Sequence, residues 1–255
     1  EFPWHVAIYQ IEYRIPVYSC GGSLVSNRYV LTAAHCVPGQ LPAAGRLPRA
    51  GPGGGGLLAR ARCEAPVRGV CEAAVLPWLD WQRSLTGREV RVLGVESSGD
   101  STLALLKLEV SVEYDDYIQP ICLPSAVPAR NQTDAVGERI GLIAGYGQTD
   151  PDGDPSAYLQ AALMPIVDSG LCVIYRIFDK HEEHRMFCAG HGNGTNACRG
   201  DQGGGFYEVS PQGVWTLTGV IGKINLYRKR CDPYGYVGLA NVLHYLEWIA
   251  DRVRS

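Results

Sequence analysis

Cys198-Arg199-Gly200-Asp201-Gln202-Gly203-Gly204 is the stretch on which the reading of this chain turns. Two earlier stretches precede it, Leu31-Thr32-Ala33-Ala34-His35-Cys36 and Leu103-Ala104-Leu105-Leu106-Lys107-Leu108. Each is short enough to arise by accident, but the ordered set is not. Around them recur short segments rich in β-branched and aromatic residues between Gly, Pro and Asp breaks, at residues 5–11, 29–32, 102–108, 140–144 and 214–221. That rhythm predicts the strands of β-barrels or a sandwich. The end of the chain departs from it. Val242, Tyr245, Leu246, Ile249 and Val253 fall at helical spacing, with Asn241 placed to cap the first turn. Residues 38–68, rich in Gly, Pro, Ala and Arg with a glycine run at 53–56, hold no sustained period. They are expected to form a loop or poorly ordered insertion, or else are an irregularity of sequence without a role.

At 255 residues and 46% hydrophobic, the chain can bury a core of ordinary size, and its length suits one two-barrel domain as well as two small ones. A net charge of −3 gives no basic excess for nucleic acid. No run approaches the roughly 18 to 20 apolar residues that cross a bilayer, so no membrane partner is expected. The start at Glu1, without Met or an apolar leader, reads as the mature or trimmed part of something longer. Nine cysteines without C-x-x-C pairs point to disulfides in an oxidising, extracellular compartment rather than to zinc. No metal or other cofactor is expected. Sequons at Asn131 and Asn193 agree with secretion and are candidate glycosylation sites. Spacing alone leaves the cysteine connectivity open. Trp78 and Trp81 serve either as an exposed recognition patch or, as tryptophan more often does, in core packing.

The three ordered stretches resemble the trypsin/chymotrypsin-like (S1) serine protease family. Supporting matches are Glu1-Phe2-Pro3-Trp4, Cys20-Gly21-Gly22-Ser23-Leu24, Gln119-Pro120-Ile121-Cys122-Leu123-Pro124, Ala144-Gly145-Tyr146-Gly147, Met186-Phe187-Cys188-Ala189-Gly190 and Trp248-Ile249. Only about residues 38–95 lie outside the resemblance. It implies an all-β fold of two six-stranded antiparallel barrels, the first over about 1–120 and the second over about 121–240. A helix over about 241–254 closes the chain, and the site lies between the barrels. It also implies bridges Cys20–Cys36, Cys172–Cys188 and Cys198–Cys231, with Cys63 and Cys71 closing a small extra loop. Cys122 then either ties the domain to its own N-terminal regulatory region or remains a free thiol. The P-W-H-V start, the G-D-x-G-G-G-F ending and the linker cysteine most resemble arthropod haemolymph protease homologues and modular proteases of the clip type.

Family chemistry needs a serine oxygen, a histidine base, a buried aspartate to hold the imidazole, and backbone donors for the oxyanion. His35 stands at the base position, as a relic. Gln202 replaces the serine, and a carboxamide has no proton whose removal would make a useful nucleophile. Thr102 replaces the aspartate. Asp100, two residues earlier, is displaced by roughly 6 to 7 Å along a strand. The Gln202 side chain is expected to crowd the oxyanion site formed with Gly200, its amide oxygen taking the donors there. Asp201 is expected either to receive the N-terminus freed by zymogen cleavage or to be paired elsewhere. In the substrate pocket Asn196 stands where trypsin-like enzymes carry aspartate. Gly222-Lys223-Ile224 replaces S-W-G, and Val237 replaces a glycine and narrows the pocket. The resemblance therefore implies a secreted, inactive homologue that regulates an active serine protease or its zymogen substrate. Alternatives are a working trypsin-like endopeptidase with an altered or misread nucleophile position, and a domain that only anchors its N-terminal partner.

Overall fold

The structure is a computed structural model and describes residues 2–12, 15–37, 56–58, 71–75, 88–125, 139–150 and 153–254. The first group of apolar runs forms β1 (His5–Glu12), β2 (Ile15–Ser26), β3 (Tyr29–Ala33), β4 (Gly56–Leu58), β5 (Cys71–Val75), β6 (Arg88–Ser97) and β7 (Leu103–Leu108). Six of them close in the order β1-β2-β3-β7-β6-β5, with β5 returning to β1. The three-residue β4 lies antiparallel to β1, Leu57 opposite Gln10, and touches β5 in parallel. It corrects the expectation for residues 38–68, since three residues are too few to display a period. The remainder of that segment, with Cys63, lies outside the described residues, as do Trp78, Trp81 and Asn131. The Cys63–Cys71 bridge therefore does too, although Cys71 opens β5.

The second barrel is built from β8 (Ile140–Gly145), β9 (Gln160–Val167), β10 (Met186–Ala189), β11 (Gly205–Val209), β12 (Trp215–Lys223) and β15 (Val237–Asn241). Its order is β10-β15-β12-β11-β8-β9, and antiparallel pairing of β9 with β10 closes it. Between β12 and β15 a separate hairpin joins β13 (Leu226–Tyr227) to β14 (Arg230–Cys231). The only α-helix before the C-terminus among the described residues, α1 (Ser169–Ile174), starts where the Asp168 carboxylate accepts the Gly170 N–H. The two barrels and the closing helix agree with the architecture the resemblance implied.

Aromatic packing joins the barrels. Phe2 and Trp4, at the entry to β1, meet Tyr207 of β11 and Trp215 of β12 at ring separations of 5.6 to 6.5 Å. Each such large apolar side chain contributes about 1.5–3 kcal/mol on burial. The Tyr207 hydroxyl, which an apolar core would leave stranded, is 2.9 Å from Ser23 Oγ. Bridges Cys20–Cys36 and Cys172–Cys188 each span 16 residues, and Cys198–Cys231 spans 33. At the C-terminus the Asn241 side chain accepts the Leu243 N–H and starts a 3-10 turn, Val242–Tyr245, that leads into α2 (Leu246–Val253). Val242, Tyr245 and Ile249 bury against the shared core, the apolar stripe read from the sequence. No helix among the described residues is long and apolar enough to cross a membrane.

Backbone contact between the barrels is close at Gly21 and Gly203. Gly203, at φ +78°, has no room for a Cβ, which would lie 2.2 Å from Thr32 Oγ1 and 2.4 Å from the Gly21 carbonyl oxygen. Gly213, in the β11–β12 turn, has nearly the same φ of +79° but opens onto free space. Gly213→Ala should therefore cost about 1 kcal/mol for the left-handed backbone alone, whereas Gly203→Ala should cost more than about 3 kcal/mol. Chemical denaturation of the two variants checks this. Equal losses would mean that the barrels do not press on Gly203.

Candidate functional site

Local hydrogen bonds shape the turn from Cys198 to Gly204 before any catalytic side chain is considered. The Cys198 N–H donates to Asp201 Oδ2 at 2.9 Å, and the Asp201 N–H returns to the Cys198 carbonyl at 3.0 Å. Gly203 N–H reaches the Ile221 carbonyl at 2.7 Å, and Gly21 N–H reaches the Gln202 carbonyl at 2.8 Å. Gly200, at φ +97°, supplies the left-handed step of the turn. Its carbonyl accepts the Tyr18 hydroxyl at 2.7 Å. Burial, and after it the nearby Asp201 carboxylate, pushes the Tyr18 phenol well above its ordinary pKa, so it stays a donor.

The Gly200 N–H, the donor expected to face an oxyanion, is taken by Gln202. The Gln202 amide oxygen accepts it at 3.1 Å. Residue 202 thus offers no nucleophile and also occupies a backbone donor that acyl-transfer chemistry would need free. His35 rides on the 3-10 turn Ala34–Cys36, held by the Cys20–Cys36 bridge and by the Ala34 N–H on the Thr102 carbonyl at 3.0 Å. The residue is exposed, but partial desolvation pulls its pKa below the usual histidine value. Among the described residues its imidazole has no hydrogen-bond partner. Cys20, His35 and Cys36 crowd their ligand atoms within 4.8 Å, yet both sulfurs are spent in the disulfide and are not metal ligands.

Asp100, two residues before the aspartate position, serves other groups, in keeping with the expectation that it is displaced from that position. Asp100 Oδ1 accepts the Ser98 hydroxyl at 2.6 Å and the Thr102 N–H at 3.1 Å. Oδ2 accepts the Tyr245 hydroxyl at 2.6 Å and Arg185 Nη1 at 2.5 Å. Burial works against the charge, but the hydrogen bonds from Ser98, Tyr245, Arg185 and Thr102 outweigh it and hold the carboxyl well below the usual range. Arg185 Nη1 also lies 3.4 Å from Thr102 Oγ1, so neither Asp100 nor Thr102 presents a carboxylate to the histidine. Arg185 continues to Glu182 at 3.1 Å, and Glu182 accepts Lys223 Nζ at 2.8 and 3.1 Å. Sequence reasoning missed this four-charge chain. Its directly bonded members lie up to 85 residues apart in sequence, and no local pattern marks them.

Of the remaining expected pocket residues, Asn196 and Val237 are also occupied. The Asn196 amide donates to the Asp232 carbonyl at 2.9 Å while its oxygen accepts the Ala197 N–H. Val237 is fully buried and packs with Ala189, Ala197 and Ile221. Gly222 lies beside Lys223 on β12, and a Cβ there would meet nothing closer than 3.8 Å. Asp201 is half-buried, its pKa raised by desolvation against the opposing N–H groups of Cys198 and Gly147. No cation pairs with it among the described residues. A cavity of about 290 Å³ opens beside it, walled by Gly145, Gly147, Gln148, Ala161 and Asn196. Asn193 is exposed, its side chain accepting the Thr195 N–H. Cys122 is a free, exposed cysteine whose carbonyl accepts the Leu217 N–H.

Two closed antiparallel barrels with a His35-bearing turn on the first and a Cys198–Gly204 loop on the second define the class of a chymotrypsin-like protease domain. The sequence model of the Trypsin family matches residues 1–51 and 77–249, and the chain belongs to that family. The chain is similar along its whole length to Serine protease ea of Drosophila melanogaster, at 32% identity, covering 65% of that protein. It is likewise similar to Phenoloxidase-activating factor 1 of Holotrichia diomphalia, at 29% identity over 67% of that protein. CLIP domain-containing serine protease HP8 of Bombyx mori is 28% identical, again over 67% of its length. The chain thus spans about two thirds of the curated relatives it matches.

The ion network yields a pH signature. Because the folded-state pKa of Asp100 is depressed, its stabilisation is present above the unfolded value of about 3.9 and is lost as pH falls further. Wild type should be more stable than Asp100→Asn at pH 6, with the gap closing steadily below about pH 4. Denaturation midpoints measured across that range test this; a gap independent of pH would show that the carboxylate's charge contributes nothing.

Proposed function

We propose that this chain is a secreted, non-catalytic serine protease homologue that acts by binding, as a cofactor or regulator in an extracellular proteolytic cascade of the innate-immune type. The observation that carries this reading is the Gln202 side chain, which replaces the nucleophile and accepts the Gly200 N–H at 3.1 Å. In subtilisin, loss of the serine or histidine alone costs about 2 × 10⁶ in turnover, roughly 8 to 9 kcal/mol of transition-state stabilisation. The residual rate, about 10³ to 10⁴ above water, is too slow for a protease. Asp100 is committed to Arg185 and Tyr245, so no carboxylate steadies an imidazolium at His35. The partners are an active serine protease or its zymogen substrate, as the names of the relatives suggest, among them a phenoloxidase-activating factor and a melanization protease. Exposed Cys122 is the attachment point for the protein's own N-terminal regulatory region, Asp201 with its cavity is the receptor for an N-terminus freed upstream, and Asn131 and Asn193 carry glycans.

A second reading, a working trypsin-like endopeptidase, draws on those same relatives, several of which are named as proteases. A fluorophosphonate active-site probe and a mixed peptide library separate the two, applied to the full-length, upstream-cleaved protein with trypsin as positive control. Silence from both is expected of wild type. Labelling or cleavage above a no-protein blank would reveal another nucleophile and end the pseudoenzyme reading. Gln202→Ser with Thr102→Asp should admit the probe if the scaffold alone suffices.

A further inference from the structure

A second cleft, about 410 Å³ in volume, lies on the far side of Asp100, and its walls include His181, His184 and His244. The rings of His184 and His244 meet nearly at right angles, with centroids 5.2 Å apart. Zinc–nitrogen bonds of about 2.0–2.1 Å at a near-tetrahedral angle place two imidazole centres on one ion roughly 5 Å apart. We propose that this cleft is a zinc site, with His184 and His244 as its first two ligands, His181 as the third, and water completing a tetrahedron.

Both leading ligands are preorganised by the same carboxylate oxygen. Arg185 follows His184 and Tyr245 follows His244, and both donate to Asp100 Oδ2. Asp100 therefore clamps the two chain segments that carry the imidazoles, and fixing the ligand-bearing backbone is how outer groups raise metal affinity. The Asn241 cap further fixes the 3-10 turn bearing His244, whose ring packs on Tyr245 at 4.8 Å. His184 and His244 are exposed, so the cleft admits an ion without unfolding. His181, three residues before His184 in the turn Lys180–Glu182, lines the same cleft. Its other close ligand-bearing neighbours are Asp179 and Glu182, and Glu182 is already held by Lys223 and Arg185. Charge does not forbid the ion, because Arg185 is neutralised by Asp100 and Glu182. Three imidazoles without thiolate select a borderline divalent ion over calcium or magnesium, which require oxygen ligands. The bound ion would tie the loop before β10 to the C-terminal helix.

Equilibrium dialysis of the intact chain against Zn²⁺, with Ca²⁺ and Mg²⁺ in parallel, tests the assignment. One zinc per chain is expected, with no uptake of the hard ions and a raised melting temperature. His184→Ala and His244→Ala should each lose at least tenfold in affinity, His181→Ala less, and Asp100→Asn about tenfold through the loosened clamp. His191→Ala, on an exposed histidine elsewhere, should bind as wild type. Failure of wild type to take up zinc overturns the proposal, as does uptake indifferent to His184→Ala and His244→Ala. Should those variants not fold, histidine ring resonances of wild type decide: zinc must shift those of His184 and His244, and a shift confined to other histidines refutes the site.

Discussion

The Gly21 N–H on the Gln202 carbonyl, at 2.8 Å, is the contact on which the site depends. It joins the first barrel to the turn of the second through backbone alone, and it requires the glycine at 203, where any Cβ would strike Gly21 and Thr32. Gly21 is constrained reciprocally, since a Cβ there would sit 2.9 Å from the Cα of Gly204. The buried Thr32 hydroxyl completes the junction by donating to the Gly21 carbonyl at 2.8 Å. None of these bonds uses the side chain of residue 202. The backbone geometry of this turn is therefore set independently of the side chain at 202, which is why the fold accommodates glutamine in that place.

Beside Thr102 the charged groups pair with one another. Asp100 and Glu182 alternate with Arg185 and Lys223 in a partly buried chain that balances two anions against two cations. Burying such charges costs several kcal/mol per ion unless each is paired and hydrogen-bonded. Here every carboxylate oxygen in the chain has a donor, although the Arg185 Nε–H is buried without an acceptor among the described residues. The network is thus nearly saturated, and drawing Asp100 back towards His35 would abandon Arg185 and Tyr245 together. Restoring an aspartate at 102 asks less of the structure than recruiting Asp100.

What the sequence made legible follows from the range over which a pattern acts. Strand periodicity, the Asn241 cap and the apolar stripe of the last helix are local, and they were read directly. The replacements at Gln202 and Thr102 were legible because they interrupt short motifs. The Tyr18–Gly200 bond spans 182 residues and the Tyr245–Asp100 bond spans 145, and nothing in a single chain's local pattern announces either. β4 failed for the opposite reason, because a segment of three residues carries too few positions to express any period.

Asp201 shows why geometry alone does not assign its role. Its carboxylate caps its own turn through the Cys198 N–H and ties that turn to Gly147, and both bonds would be needed in a purely structural domain. The glycines at 145 and 147 exist for the same oxygens, since a Cβ at either would lie within 2.4 Å of Oδ1. Yet burial raises the pKa of the carboxyl, so at neutral pH its charge weakens the fold in proportion to that shift. An ammonium entering the adjacent cavity would relieve that cost, and two backbone donors relieve only part of it. The same atoms therefore serve a structural cap while leaving the cost of the charge only partly offset.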